Sequence, residues 1–215
     1  MSAIERYAAK GGAAILLDRD GAILALASGP EFDPNLSGSY SAEAADRINN
    51  ATASVFELGS VMKPFTLAYA VSENAVTSEA IFPTGDPFPL GPYNITDTHS
   101  VGPWASLKTI IKESSNIGTL HVFKQLGIEK TKAMIDRLGF GAAVPVELPG
   151  RGKPILPPSW TEVSAGTIAY GHGLSVSPLH MAAAYTVFTN AGVRRIPYVR
   201  PVSYTHLTLP TILLV

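Results

Sequence analysis

Two apolar blocks stand near the start of the chain, at Gly12–Leu17 and 22–27, split by Asp18-Arg19-Asp20-Gly21. Asp-Gly between apolar runs favours the positive φ of a tight hairpin turn. Both runs are apolar throughout rather than alternating, which predicts strands covered on both faces. A short helix fits residues 2–10. Helical periodicity then predicts helices over 60–71, with Phe65, Leu67, Ala68 and Val71 inward, and over 104–113. Further helices are predicted at 117–126, ended by Gly127, and at 129–138, ended by Gly139. Pro178–Thr189 reads as a helix with Pro in its first turn and a stop near Gly192. Residues 29–39, 83–103 and 145–158 are dense in Pro, Gly, Ser and Asn and read as loop. A strand hairpin followed by a run of helices predicts an α+β domain.

Composition narrows the chemistry. The 215 residues are 46% apolar, enough for a sizeable core, and 16 Lys and Arg stand against 17 Asp and Glu. No basic stripe is present, so nucleic acid is not expected as a partner. The absence of cysteine excludes a disulfide framework, a thiolate metal site and a Cys nucleophile. His99, His121, His172, His180 and His206 show no zinc-ligand spacing, and neither metal nor cofactor is expected. No apolar run approaches the roughly 20 residues of a membrane span, and no signal-peptide pattern opens the chain. Any export or anchoring segment is therefore expected outside it. Trp104 and Trp160 are expected to pack in the core, Lys108 and Lys112 to form a solvated helix face. Glu57 is expected as an exposed loop carboxylate. His172, between two glycines, is expected in a structural role where backbones approach closely.

Two segments offer catalytic chemistry. In Gly59-Ser60-Val61-Met62-Lys63-Pro64 the glycine permits a sharp entry into a helix, and Pro64 is tolerated only near a first turn. Lys63 then lies one turn after Ser60 on the same face. A serine hydroxyl needs an adjacent base to become a nucleophile. A lysine amine can serve if burial and a neighbouring cation lower its pKa. By itself S-x-x-K is weak, since a chain of this length holds about one by chance; the plain alternative is a capped helix with an exposed lysine. Ser114-Ser115-Asn116 likewise reads either as a helix cap or as a hydroxyl relay at Ser114 with a substrate-holding amide at Asn116. Serine acyl enzymes that recognise penicillin carry S-x-x-K, then S-x-N, then K-T-G.

The surrounding residues resemble class B penicillin-binding proteins. Glu57-Leu58-Gly59-Ser60-Val61-Met62-Lys63-Pro64-Phe65-Thr66 is similar to that family's nucleophile segment, and Asn49-Asn50-Ala51-Thr52 to its approach. Pro30-Glu31-Phe32-Asp33-Pro34-Asn35 resembles the loop after the first hairpin. Glu113-Ser114-Ser115-Asn116-Ile117-Gly118 resembles the second motif, and Tyr170-Gly171-His172-Gly173-Leu174-Ser175-Val176-Ser177-Pro178-Leu179-His180 the segment before the next long helix. The resemblance is nearest to the division-specific septal transpeptidases and covers about residues 8–200. Two departures stand out: Leu58 replaces the family's proline, and no Lys-Thr-Gly or Lys-Ser-Gly occurs.

The resemblance implies the penicillin-recognising serine enzyme fold, an antiparallel sheet with flanking helices and an all-helical lobe, incomplete at the C-terminus. Residues 1–201 are then a partial transpeptidase domain with only the first two sheet strands, and the chain alone is expected to be marginal and prone to aggregate. Residues 202–215 shift abruptly to Thr and Leu without charge and are expected to be a non-family tail from a sequencing or reading-frame artefact. The implied activity is peptidoglycan D,D-transpeptidation, with Ser60, Lys63 and Ser114 catalytic and Asn116 binding substrate, in the parent protein rather than in this chain. Implied partners are stem peptides, β-lactams and the division machinery; the implied location is the outer face of the inner membrane. A β-lactamase of the same fold is the near alternative, but neither an E-x-x-L-N string nor a Y-x-N occurs. A non-catalytic β-lactam sensor, or an inert fragment, is the alternative from another class.

Overall fold

The computed structural model describes residues 3–30, 35 and 48–199. The expectations for 202–215 and for most of the 29–39 loop lie outside the described residues. A short helix, α1 (Ala3–Arg6), precedes the hairpin of β1 (Gly12–Leu17) and β2 (Ile23–Gly29). The Asp-Gly turn forms as its chemistry dictates. The Asp18 carboxylate accepts from the N–H of Asp20 and of Ala22, and Gly21 takes φ +99°. The strands pair antiparallel, with an irregularity between Leu16 and Leu17. Near the end of the described chain Tyr198 returns beside Ala22, donating its N–H to Gly21 O and accepting from Ile23 N.

Only one face of this hairpin is covered, against the expectation. Ile15, Leu17 and Ile23 pack on Val144, Val146 and Leu179, whereas Leu16 and Leu24 are 56% and 55% exposed. Side chains alternate along a strand; on the second face Ile4 of α1 reaches only the Gly12–Gly29 end, and among the described residues no layer covers Leu16 and Leu24.

The polypeptide next passes through β3 (Phe56–Glu57), a 3₁₀ turn at Gly59–Met62, and α2 (Lys63–Ser72), with Pro64 in its first turn. Phe65 and Leu67 are buried as expected, but Ala68 is exposed and Val71 only half-buried. Strand β4 (Ile81–Pro83) leads into the stretch expected to be loop, which itself holds two small strands, β5 (Phe88–Leu90) and β6 (Tyr93–Ile95). The helix expected from residue 104 begins later. Trp104–Ser106 is β7, paired with β4, and α3 covers Leu107–Lys112. Ser106 caps α3 by accepting from Thr109 N, which sets the boundary. Trp104 on this edge strand is 63% exposed rather than in the core.

Helix α4 (Asn116–Leu126) ends at Gly127, and α5 (Ile128–Arg137) stops just before Gly139. A helix absent from the sequence reading, α6 (Glu162–Ala169), starts with a reciprocal cap between Thr161 and Ser164. Two residues, β8 (Ser175–Val176), pair with β3, and α7 (Pro178–Thr189) has the expected bounds.

Three apolar clusters hold the helical part together. Met62, Phe65, Met134, Ile135 and Ile168 form one; Leu67, Ala70, Ile110 and Val122 another; Phe88, Leu120, Phe123 and Tyr170 a third. Helix α2 spans the first two and α4 the last two, so both are fixed on opposite sides. Full burial of a side chain such as Ile110 or Leu120 contributes roughly 1.5–3 kcal/mol. These two helices carry Lys63 and Asn116 and directly follow the segments that hold Ser60 and Ser114.

Candidate active site

Ser60 is presented by a turn that the neighbouring chain clamps. Phe56 and Glu57 pair with Val176 and Ser175. The Glu57 carboxylate accepts from Gly173 N at 2.8 Å, so it is an exposed strand residue with a clamping role rather than a loop carboxylate. Gly59 N donates to Gly171 O at 2.8 Å. A Cβ at Gly171 would lie 1.7 Å from Gly59 O, and φ there is +106°, so only glycine fits. Close approach of backbones is thus what Gly171 provides beside His172, while Gly173 takes a positive φ of +79°. On the other side the Tyr185 hydroxyl, from α7, donates to Val61 O at 2.9 Å. Ser60 is left exposed at the head of the 3₁₀ turn.

Beneath it sits Lys63, only 2% exposed. Its Nζ is 2.9 Å from Ser60 Oγ, 2.9 Å from Ser114 Oγ and 2.7 Å from Ser114 O. An ammonium has three N–H groups, and these three oxygens take all of them. Burial, which disfavours the charged form, lowers the lysine pKa to about 8; the carboxylate of Asp97 opposes the shift. Burial, not a neighbouring cation, is therefore the depressing influence.

Ser114 has φ +58°, a left-handed conformation that costs a non-glycine residue about 1–2 kcal/mol. In return its carbonyl and its hydroxyl both face Lys63. Ser115 is fully buried and caps α4, accepting from Gly118 N at 2.8 Å. Gly118 is needed because a Cβ there would lie 2.4 Å from Ile110. Asp97, between β6 and β7, accepts from the Ser115 hydroxyl at 2.6 Å, from Ile117 N at 3.1 Å and from Asn116 N.

The structure thus brings Ser60 and Ser114 onto the same Lys63 amine, although Ser114 lies 51 positions after Lys63 in the chain. Asn116 opens α4 beside them, but its side-chain amide donates to Thr96 O at 3.3 Å rather than to this trio. Asp97 was missed: it sits in a Pro- and Gly-rich connector, and no spacing in the sequence ties it to Ser115. Among the described histidines none hydrogen-bonds to Ser60 or Lys63. His172 is exposed with its ring against Tyr170, and buried His180 bridges Ser177 and Ala142 O. Trp160 packs between two core clusters as expected. A cavity of about 630 Å³ opens behind α2, lined by Phe65, Tyr69, Arg137 and Phe188 among others, but it includes none of the trio.

A buried lysine amine between two serine hydroxyls is here set in an α+β fold shared with penicillin-binding transpeptidase domains. The chain belongs to the penicillin binding protein transpeptidase domain family, which matches residues 11–206. It is 31% identical over 194 residues to the probable peptidoglycan D,D-transpeptidase FtsI of Caulobacter vibrioides, covering 90% of this chain and 33% of that protein. With the probable peptidoglycan D,D-transpeptidase PenA of Neisseria gonorrhoeae identity is 35%, covering 89% and 33%. The chain spans about a third of the length of these curated relatives. Among solved structures, the transpeptidase domain of Burkholderia pseudomallei penicillin-binding protein 3 superposes with a TM-score of 0.80 at 30% identity, over 94% of this chain and 57% of that one. A Burkholderia ambifaria protein described as a peptidoglycan glycosyltransferase gives 0.80 at 32% identity, over 95% and 61%.

Proposed function

We propose that this chain carries the nucleophile half of a peptidoglycan D,D-transpeptidase site. The observation that supports this most is the position of Lys63 Nζ, buried and 2.9 Å from both Ser60 Oγ and Ser114 Oγ. Neutral Lys63 has two N–H groups and one lone pair. The Ser114 carbonyl can only accept, so it keeps one N–H. The lone pair then faces either Ser60 or Ser114, and exchange between them needs rotation of the amine without displacement of the nitrogen.

In the proposed reaction the Ser60 hydroxyl attacks the carbonyl of the penultimate D-alanine of a stem peptide, and its proton passes to Lys63. The N–H of Ser60, at the head of the turn, stabilises the oxyanion. Ser114 relays a proton to the nitrogen of the departing D-alanine as the C–N bond breaks, leaving an acyl ester on Ser60. The amine of a second stem peptide attacks that ester, its proton returns through Ser114 and Lys63, and the Ser60 hydroxyl is restored with a new amide crosslink. Asn116 holds the donor peptide, turning from Thr96 O. A β-lactam carbonyl acylates Ser60 by the same first step. The chemistry requires no metal or cofactor.

The likeness to proteins named probable peptidoglycan D,D-transpeptidase supports peptidoglycan stem peptides as substrate; a role with division-machinery partners and action at the outer face of the inner membrane rest on the resemblance of the motifs to the septal transpeptidases. Among the described residues no helix is long and apolar enough to cross a membrane. The test is labelling with a fluorescent penicillin. The full-length protein is expected to label at Ser60, with Ser60→Ala abolishing it, and this chain, which has no Lys-Thr-Gly, to label little. Labelling that survives Ser60→Ala would refute the assignment. Steady nitrocefin turnover would instead indicate a β-lactamase.

A further inference from the structure

The acyl transfer proposed above needs Ser114 held against Lys63; on the α3 side Ser114 N donates to Ile111 O at 3.2 Å and Ser115 N to Ile110 O at 3.0 Å, and the α4 side needs an anchor of its own. The first N–H groups of a helix lack partners within it, and Ser114 lies just ahead of α4. Those groups are taken by a side chain from another part of the chain. Asp97 Oδ1 accepts from Asn116 N and from Ile117 N at 3.1 Å, and Oδ2 accepts from Ser115 Oγ at 2.6 Å. The Ser115 hydroxyl is in turn the acceptor for Gly118 N. A carboxylate at this end of a helix is also favoured by the helix dipole.

We propose that Asp97 is a positioning residue for the acyl-transfer site, its carboxylate fixing the head of α4 so that both oxygens of Ser114 stay on Lys63. This rests on the transpeptidase reading. A second effect follows from charge. Among the described residues Asp97 is the ionised group that acts on Lys63, and it raises the lysine pKa against the lowering by burial. Glu113, although adjacent to Ser114, is engaged with Lys112 and His99 instead. One carboxylate therefore holds the relay serine in place and keeps the amine from losing its proton too readily.

Asp97→Asn removes the charge with little change of shape. Two readouts apply, both in the full-length protein: titration of the Lys63 side chain by ¹³Cε chemical shift, and the rate of penicillin acylation against pH. The Lys63 midpoint is expected to move below its wild-type value of about 8. The plateau acylation rate is expected to fall on the order of 10- to 100-fold, as for a small misplacement of catalytic groups. Asp97→Glu keeps the charge but shifts the oxygens, so it restores the midpoint more fully than the rate. If Asp97→Asn does not fold, Asp97→Ser, which keeps a capping oxygen, is read the same way. A folded variant with both readouts unchanged overturns the proposal, as does a lowered melting temperature with both unchanged. Failure of the wild-type protein to label would strike the transpeptidase reading instead, and the Lys63 midpoint would still decide the role of Asp97.

Discussion

Ser114 spends backbone strain to place two oxygens on one amine. Ser114→Gly relieves the strain at φ +58° and deletes the hydroxyl. Urea denaturation is expected to show stability unchanged or raised by up to about 1 kcal/mol, while penicillin acylation falls by about 10²- to 10⁴-fold. Equal losses of both would contradict the division of roles. Lys63 makes a complementary statement through linkage. Its folded pKa, about 8, lies below the unfolded 10.5, so between these values the unfolded chain binds more protons. Stability therefore rises with pH across that window. Lys63→Met should remove this slope, seen as a difference in unfolding free energy between pH 7.5 and 10.5 that the wild type shows in excess of the variant.

The elements show where sequence was sufficient. Asp18 and Gly21 carry their own turn chemistry, Gly127 ends α4 by its own backbone freedom, and Pro178 after Ser177 marks the start of α7. Each is a local signal, and each element appeared where expected. Strand β7 failed because Trp104–Ser106 is drawn into pairing with Ile81–Pro83, a distant partner that overrides local helical periodicity. Helix α6 was overlooked because its Ala, Gly, Ser and Thr positions give little periodic contrast; its cap at Thr161 and Ser164 was the available cue. In the site, S-x-x-K and S-x-N were readable, whereas Asp97 and Tyr185 act through tertiary approach. The clamp on the nucleophile turn depends on one such approach. Gly171→Ala places a methyl group into Gly59 O at a positive φ. It is expected to destabilise by about 3 kcal/mol or more in a denaturant titration, and a neutral result would show that the turn has room to move.

Taken whole, the molecule has a well-covered helical part and a hairpin with a bare apolar face. Leu16 and Leu24 project from it at more than half exposure, the kind of surface and strand edge that promotes association. The isolated chain is expected to aggregate with a broad thermal transition, and Leu16→Lys with Leu24→Glu to improve its solubility; a sharp two-state melt of a monomer would contradict this. The central claim is narrower than the fold: a lysine made partly neutral by burial activates Ser60. Its most direct test is the rate of Ser60 acylation by a fluorescent penicillin in the full-length protein, measured from pH 6 to 10. The rate should climb with a midpoint near 8 and vanish in Ser60→Ala. A flat profile, or a midpoint near that of an ordinary exposed lysine, would contradict it.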